Sequence, residues 1–141
     1  MKFKKFKFKK VRSTNNTAIR IIKKTHYKYG MVISESQTNG KGQYGRKWIS
    51  LKGNLFVTFF YEVNKIKLSI ATITKLNCLL IKKLISKYTN KKILYKKPND
   101  LLIQKKKICG ILQEIIFVQN KKYLITGIGI NINKSPYIKK C

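Results

Sequence analysis

Glycines, basic residues and the only tryptophan of the chain are concentrated between Gln37 and Asn54. Glycine permits backbone conformations at positive φ and lets a ligand approach closely. Cations beside exposed N–H groups suit a phosphate or carboxylate, and Trp48 adds an aromatic surface for a flat ring. A lysine-rich surface loop is the alternative, and composition alone favours it. The residues concerned are Gly40, Gly42, Gly45, Gly53, Lys41, Arg46, Lys47, Lys52 and Trp48.

Three later stretches, a turn at 98–100 and two glycine-bearing strands, fit the same anionic ligand, and an earlier polar triplet is a further candidate. Ser13, Thr14 and Asn15 form a polar triplet that caps helices, and capping leaves at least one of their side chains free to face a ligand. Pro98, Asn99 and Asp100 have the composition of a turn. Asp100 is the only aspartate among four acidic residues, so it is a functional candidate. Its alternative role is the hydrogen bond of the turn itself.

The formal net charge of +29 suggests nucleic acid or an anionic substrate as a partner. Nearly all of this charge is lysine, whereas proteins that read nucleic acid rely on arginine for bidentate contacts. The excess of Lys, Ile and Asn is typical of an AT-rich coding sequence. The charge is therefore weak support for nucleic-acid binding.

The cysteines and the apolar segments define the expected compartment. Cys78, Cys109 and Cys141 form no CxxC pair, which favours a reducing environment over a disulfide framework. His26 has no second metal-ligating residue nearby. No signal peptide and no apolar run of about 20 residues is present. The expectation is a cytoplasmic protein without a membrane span.

The 141 residues predict one domain of the α+β class. The order of elements lacks βαβ regularity, so we expect a mixed, mostly antiparallel sheet flanked by helices. A disordered basic tail is the alternative for the first predicted strand. Period-two and helical spacings predict strands at 3–11, 31–33, 55–61, 93–97, 101–103, 108–118 and 123–132, and helices at 14–24 and 66–88. One face of the second helix carries the residues expected to pack on the core, which are Ile66, Ile70, Ile73, Leu76, Leu80, Leu84 and Tyr88.

Two predicted strands carry glycine on one face. Gly127 and Gly129 alternate with isoleucines in the last strand, and Gly110 lies in the strand before it. Glycine inside a strand often marks the close approach of a ligand or another backbone. A helix packed on the sheet is the alternative. Together with the glycine loop, these strands favour a flat ligand lying on a bare strand face.

These segments, in this order, resemble the catalytic domain of the biotin protein ligases. Any one segment is weakly specific, but the six together cover the chain from Ser13 to Asn133. They are Ser13-Thr14-Asn15, QTxGxGxxGRxWxS from Gln37 to Ser50, Gly53-Asn54-Leu55, KxPNDL from Lys96 to Leu101, KxxGILxE from Lys107 to Glu114, and GIGIN from Gly127 to Asn131.

The resemblance implies a fold shared with class II aminoacyl-tRNA synthetases and a reaction in two steps. Biotin attacks the α-phosphate of MgATP to give biotinyl-5′-AMP. A lysine of a biotin carboxyl carrier domain, such as that of acetyl-CoA carboxylase, then attacks the mixed anhydride. Biotin, ATP and Mg²⁺ are thus the implied small molecules, with Mg²⁺ carried by ATP close to Asp100.

The resemblance also implies roles for individual residues. Lys107 is the expected catalytic cation, supported by Lys41, Arg46 and Asp100. The implied biotin-binding residues are Ser13, Thr14, Asn15, Gln37, Gly40, Gly110, Gly127 and Gly129. Those implied for ATP and the adenylate are Gly42, Gln43, Trp48, Lys96, Asn99 and Asn131.

The chain departs from the family pattern at several places. Lys41 and Gln43 stand where the family usually has arginine, which removes bidentate hydrogen bonds, and Lys97 replaces a tryptophan. No helix-turn-helix precedes Ser13, which argues against a repressor role, and the chain ends at Cys141, earlier than the family pattern. We therefore expect residues 1–141 to form a single, partial catalytic domain without a DNA-binding domain. Pairing of two chains through a sheet edge would give a homodimer.

Two other functions fit parts of the sequence. A lipoate–protein ligase would share the fold and the adenylation chemistry, although its glycine signature is absent. An inactive basic fragment that binds biotin or nucleic acid would need no catalytic Lys107. Adenylate formation and the salt dependence of binding distinguish these alternatives from a biotin ligase.

Overall fold

A seven-stranded mixed sheet forms the centre of the molecule in the computed structural model, which describes residues 3–65 and 67–132. The strand order is β1-β2-β3-β7-β6-β5-β4, and β1 and β2 are parallel while all other neighbours are antiparallel. The strands are β1 (Lys4–Val11), β2 (Tyr29–Gln37), β3 (Leu55–Glu62), β4 (Ile93–Lys96), β5 (Asp100–Ile103), β6 (Lys106–Val118) and β7 (Lys121–Ile130), and the helices are α1 (Thr14–Thr25) and α2 (Ile70–Ile85).

Helices α1 and α2 pack on opposite faces of the sheet. Successive side chains of β7 point to opposite faces of the sheet. Tyr123 and Ile125 point to the face covered by α1, where they pack in one cluster with Ala18 and Ile22. The same alternation directs Ile128 to the α2 face, beside a second buried cluster that contains Cys78, Ile93, Leu101, Cys109 and Ile111. The predicted α+β domain with a mixed, mostly antiparallel sheet is confirmed.

Helix α1 begins where the sequence predicts it to begin. Ser13 is its N-cap, in extended conformation, and its hydroxyl oxygen accepts a hydrogen bond from the N–H of Asn16 at 3.3 Å. The preceding strand β1 is ordered against β2 rather than a disordered tail, because seven of its residues pair with Gly30–Gln37. The connection β1-α1-β2 places the N-terminus of α1 at the end of the parallel pair.

The prediction for the long helix is wrong in its start and in its buried face. Ser69 caps α2, accepting a hydrogen bond from the N–H of Thr72 at 3.1 Å, so the helix begins at Ile70. The predicted residue Ile66 lies outside the described residues. The sheet contacts a face that contains Thr74, Cys78, Ile81 and Ile85, whereas the predicted core residues Leu76, Leu80, Leu84 and Tyr88 are exposed.

Strands β6 and β7 form a hairpin, and each of them begins two residues earlier than predicted. Strand β7 ends at Ile130, so the predicted strand residue Ile132 lies beyond it, and Asn133 lies outside the described residues. Gly110 and Gly129 are directly opposite each other, and Gly127 faces Leu112. Strand pairing therefore gathers the three glycines on the face that also carries the N-terminus of α1.

Candidate active site

A cleft of about 470 Å³ opens on the glycine-bearing face of the sheet. A volume of this size is typical of small-molecule sites. Of the eighteen predicted site residues, sixteen line the cleft and two, Gly40 and Asn131, do not. The sixteen are Ser13, Thr14, Asn15, Gln37, Lys41, Gly42, Gln43, Arg46, Trp48, Lys96, Asn99, Asp100, Lys107, Gly110, Gly127 and Gly129.

The glycine loop is a compact hairpin whose strands meet at a bridge between Lys41 and Lys47. The N–H of Trp48 donates to the carbonyl of Gly40 at 2.8 Å, and that of Gly42 to the carbonyl of Arg46 at 2.6 Å. A short turn of 3-10 helix closes it, with φ of 56° at Tyr44 and 73° at Gly45. This hairpin carries the cations of the loop to one side of the cleft.

Gly40 supports the loop from outside the cleft lining. A Cβ at this position would lie 2.5 Å from the carbonyl oxygen of Trp48 and 2.8 Å from both Gln37 Nε2 and Ser50 Oγ. Gln37 Nε2 also donates to Ser50 Oγ at 3.0 Å. The close packing explains the glycine without a ligand contact. A contact between Gly40 and biotin stays a prediction.

Trp48 covers the strand face that the sequence predicts to be bare. A Cβ on Gly129 would lie 2.5 Å from the indole, and one on Gly110 would lie 2.7 Å from it. A Cβ on Gly127 would lie 2.2 Å from Asn15 Oδ1, so the amide of Asn15 covers that position. The expectation of a bare face is therefore corrected: side chains of the loop and of α1 lie against the glycines. Contact of the three glycines with biotin stays a prediction.

Lys107 lies between an acid and an aromatic ring. Its Nζ is 2.9 Å from Asp100 Oδ1 and 5.0 Å from the centroid of the Trp48 ring. The Lys107 side chain is 43% exposed and that of Asp100 18% exposed, so the cation remains accessible from the cleft. Asp100 pairs with Gly110 across β5 and β6, and this pairing brings the acid of the PND turn next to Lys107.

The cleft is strongly cationic. Besides Lys107, the side chains of Lys41, Arg46, Lys47, Lys96 and Lys97 line it, and Asp100 is the one acidic residue among the described lining residues. Lys41 Nζ donates to Asn16 Oδ1 at 2.6 Å, which links the loop to α1. Such a concentration of positive charge attracts phosphates and carboxylates.

Polar residues at the start of α1 form the other end of the cleft. Gln37 Oε1 accepts a hydrogen bond from the N–H of Thr14 at 2.7 Å. Ser13, Thr14 and Asn15 are each at most 5% exposed. Buried polar side chains that face a cleft in this way provide directional hydrogen bonds for a ligand.

Two predicted nucleotide-binding residues form hydrogen bonds with the protein backbone. Asn99 Nδ2 donates to the carbonyl of Ile111 at 2.8 Å and holds the PND turn on β6. Asn131 Nδ2 donates to the carbonyl of Lys107 at 3.1 Å, and its Oδ1 accepts from Asn54 at 3.2 Å. Asn131 thus supports the backbone of Lys107. Its approach to adenine or ribose stays a prediction.

The structure also brings residues to the site that the sequence did not identify. Thr58 Oγ1 contacts Asn15 Oδ1 at 2.6 Å, and Glu114 Oε1 accepts from Asn15 Nδ2 at 2.9 Å. Thr58 is the only polar residue of the segment LFVTFF. A single polar residue in an apolar strand could have identified it as a site residue. Glu114 ends the KxxGILxE segment. Lys47 and Pro98, which belong to the predicted loop and turn, also line the cleft, and Tyr44 lines it without such a signal.

The described residues show no resident metal site. They contain no group of three or more His, Cys, Asp or Glu side chains that could hold an ion. They also contain no helix that is long and apolar enough to cross a membrane. Among the lining residues that the structure describes, Asp100 alone supplies a carboxylate to the cleft, which suffices for Mg²⁺ only when substrate phosphates supply further ligands.

The chain belongs to the biotin/lipoate A/B protein ligase family, whose family model matches residues 7–131. It is similar to the bifunctional ligase/repressor BirA of Bacillus subtilis, with 29% identity over 126 residues, 88% of this chain and 39% of that protein. The similarity to BirA of Escherichia coli is 30% over 102 residues, 71% of this chain and 32% of that protein. The chain thus spans less than two fifths of either bacterial relative.

Solved structures show the same fold. The biotin protein ligase of Leishmania major, in complex with biotinyl-5-AMP, matches with a TM-score of 0.77 and 27% identity over 98% of this chain and 61% of that one. The biotin protein ligase of Aquifex aeolicus, in complex with biotin and ATP, matches with a TM-score of 0.76 and 29% identity over 96% of this chain and 55% of that one. The expected family and the fold like that of class II aminoacyl-tRNA synthetases are confirmed.

Proposed function

We propose that this chain is the catalytic part of a biotin protein ligase. The biotin carboxylate attacks the α-phosphate of ATP, one P–O bond forms, and the bond to pyrophosphate breaks to give biotinyl-5′-AMP. A neutral lysine amine of a carboxyl carrier domain then attacks the acyl carbon, AMP leaves, and the amine loses a proton as the amide bond forms. No step requires a redox partner.

One observation carries this proposal: a buried polar pocket at the start of α1 lies beside a cationic loop and an accessible Lys107 in one cleft. Adenylation needs a site for a small polar ring and a site for two anions that would otherwise repel each other. Positioning these groups and stabilising charge on the α-phosphate account for most of such catalysis. The cleft offers both sites within a single cavity.

In this proposal the polar pocket binds the ureido ring of biotin through Ser13, Thr14, Asn15 and Gln37. The cationic side receives its carboxylate and the phosphates. Lys107 is the expected catalytic cation because it is exposed to the cleft and because a phosphate competes with Asp100 for its ammonium. Lys41, Arg46 and Lys96 add positive charge around the phosphates. Trp48, which lines the same cleft, packs near the adenylate.

Magnesium belongs to this proposal as an ion carried by ATP. The carboxylate of Asp100 is paired with Lys107 in the unliganded cleft. When a phosphate takes over Lys107, Asp100 becomes available to a cation. One carboxylate together with substrate phosphates is a common ligand set for Mg²⁺.

The acceptor in this proposal is the biotin carboxyl carrier domain of acetyl-CoA carboxylase or a related carboxylase. A cytoplasmic location is part of the same proposal, and the free thiols of Cys78 and Cys109 support it. A homodimer is also proposed. Strands β1 and β4 form the two edges of the described sheet and leave backbone groups for pairing with another chain.

The proposal is tested by single-turnover formation of biotinyl-5′-AMP from biotin and MgATP, read by mass spectrometry, with lipoate as the control acid. We expect an adenylate from biotin and none from lipoate. Lys107→Ala should reduce the rate by about 100-fold or more, the usual effect of removing one group that stabilises transition-state charge.

Lys106→Ala is the matched control, because Lys106 is exposed on the same strand and does not line the cleft. Its rate should stay within about twofold of the wild type, as is usual for surface substitutions. An adenylate from lipoate alone would favour the lipoate ligase. No adenylate from either acid, with the protein folded, would contradict the proposed activity.

A further inference from the structure

Strand β6 contains a β-bulge next to Lys107. Leu101 of β5 pairs with Cys109, but Leu102 pairs with Lys107, so Ile108 is an extra residue in β6. Ile108 and Cys109 follow each other in the chain, yet both pack in the buried cluster beneath α2. Successive side chains of a regular strand point to opposite faces. Bulges of this kind often redirect a side chain next to an active site.

The bulge places Lys107 in the cleft. Lys107 precedes Gly110 by three positions, a spacing that directs side chains to opposite faces of a regular strand. Here both residues line the cleft, and a Cβ on Gly110 would lie 3.2 Å from Lys107 Cε. If β6 were regular, Ile108 would pair with Leu102 and the ammonium of Lys107 would lie on the α2 side of the sheet. The cation of the candidate site therefore depends on the bulge.

Asn131 binds the two carbonyl groups of the bulge. Its N–H donates to the carbonyl of Ile108 at 2.7 Å, and its Nδ2 donates to the carbonyl of Lys107 at 3.1 Å. Asn131 directly follows β7, whose last residue, Ile130, pairs with Cys109. The two bonds continue the contact between β6 and β7 beyond this pair and hold the backbone in its bulged conformation.

Asn54 determines which way the amide of Asn131 points. Asn54 Oδ1 accepts from the N–H of Ile132 at 2.9 Å, and Asn54 Nδ2 donates to Asn131 Oδ1 at 3.2 Å. A backbone N–H only donates and a backbone carbonyl only accepts. The series from Ile132 to the carbonyl of Lys107 therefore allows one orientation of both amides. Asn54 is 8% exposed, so water competes little for these bonds.

We propose that Asn54 is a positioning residue that fixes the bulge at Ile108, and with it Lys107, by orienting the amide of Asn131. Asn54 belongs to the segment Gly53-Asn54-Leu55, for which the proposed function has no role. It is not among the described residues that line the cleft, and it acts through the backbone of β6 without touching the ligand. This inference rests on the proposed function, in which Lys107 is the catalytic cation.

The test measures two quantities for Asn54→Ala, the single-turnover rate of biotinyl-5′-AMP formation and the dissociation constant of biotin by titration calorimetry without ATP. The rate should fall by about tenfold or more, since a small misplacement of a catalytic group is costly. Biotin binding should stay within about twofold, as is usual for a substitution away from the ligand. Asn90→Ala is the matched control, because Asn90 is exposed and does not line the cleft. It should leave both quantities unchanged.

The same substitution in a Lys107→Ala background separates positioning from stability. Once the ammonium is absent, its position no longer matters, so Asn54→Ala should change the remaining rate by less than about twofold, as for residues that act as a unit. A residue that only stabilises the fold would lower the rate by the same factor in both backgrounds. Equal factors would therefore overturn the inference, and so would an unchanged rate for Asn54→Ala in the wild-type background.

Asn54→Asp makes the same comparison if Asn54→Ala does not fold. Its carboxylate still accepts from Ile132 but cannot donate to Asn131, and its charge is present in both backgrounds. The rate should again fall by a larger factor in the wild type than in Lys107→Ala, and equal factors would overturn the inference. A wild-type chain that forms no adenylate, or a Lys107→Ala variant with the wild-type rate, would instead contradict the proposed function and the inference with it.

Discussion

Lys107 has two partners in the unliganded cleft, the carboxylate of Asp100 and the ring of Trp48. Both contacts are of a kind that an incoming anion can replace. The ion pair is partly exposed and therefore contributes little to stability. In the proposed function its value is positional, because the ion pair keeps a cation at the cleft wall for an incoming phosphate.

Gln43 gives a prediction at the same scale. Where the family usually has arginine, glutamine supplies no charge, so we expect biotinyl-5′-AMP to leave the cleft readily and to label unrelated lysines. Gln43→Arg should slow this release by about tenfold, since a hydrogen bond from a charged donor adds about 1.5 kcal/mol or more. The release rate is measured by trapping free adenylate with an excess of hydroxylamine.

Asn90→Arg adds the same charge at an exposed position away from the cleft and is the control for Gln43→Arg. It should leave the release rate unchanged. If the wild type labels only a carrier-domain lysine at every enzyme concentration, the prediction that biotinyl-5′-AMP readily leaves the cleft is wrong.

Gly129 tests the cover that Trp48 provides over the sheet. A methyl group at this position would lie 2.5 Å from the indole, so Gly129→Ala must displace Trp48. We expect a shift in the fluorescence of this single tryptophan and a loss of about 1–3 kcal/mol in unfolding free energy, the usual cost of overpacking. Fluorescence spectra and urea denaturation measure the two effects.

Gly42→Ala serves as the comparison because a Cβ on Gly42 would lie 3.4 Å from the carbonyl oxygen of Arg46, which is an ordinary van der Waals contact. Its fluorescence should match that of the wild type. A wild-type spectrum for Gly129→Ala would show that Trp48 does not lie on Gly129 in solution.

At the scale of elements, α2 is apolar on two sides. One side packs on the sheet, and the other exposes Leu76, Leu79, Leu80 and Leu84, of which Leu80 is 64% exposed. A single amphipathic stripe would have indicated the buried face. Because α2 has two apolar sides, the prediction from periodicity assigned the exposed side to the core. The contacts of α2 with β4, β5 and β6 show which side is buried.

Substitutions on the two sides of α2 should therefore differ in cost. Leu80→Lys should change the unfolding free energy by less than about 0.5 kcal/mol, as expected for a surface position. Ile81→Ala should lower it by about 2 kcal/mol because a packed side chain is truncated. Chemical denaturation of both variants checks the assignment, and an equal loss in the two would contradict it.

At the scale of the whole molecule, the second buried cluster predicts sensitivity to alkali. Burial and the neighbouring Asp100 raise the pKa of Cys78 from 9.0 to about 11. Burial, together with Cys78 and Asp100, raises the pKa of Cys109 to about 12. The unfolded thiols ionise near pH 9 while the folded ones stay neutral, so this contribution to stability is complete below pH 9 and is lost as the pH rises toward 11 or 12.

Cys109→Ala isolates this effect from the titration of the many lysines. At each pH we compare the unfolding free energy of the variant with that of the wild type. This difference should shift by about 2 kcal/mol in favour of the variant between pH 7 and pH 10.5, since each pKa unit corresponds to about 1.4 kcal/mol. Urea denaturation at the two pH values gives the difference. A difference that does not depend on pH would contradict the raised pKa of Cys109.

Local signals in the sequence specify which elements form and which residue types are available for chemistry. Alternation and caps predicted nearly all of the strands and the start of α1, because these signals act between residues close in the chain. The ordered motifs also identified sixteen residues that line one cleft, because their glycines, lysines and amide side chains lie in the segments that form its walls.

How these parts meet depends on the packing of the whole molecule. Thr58 and Glu114 contact Asn15 across separations of 43 and 99 residues, and no local pattern specifies such a meeting. The same holds for Trp48 on the glycines and for the buried side of α2. Strand order and register bring these groups together, and they depend on packing the whole sheet rather than on any one segment.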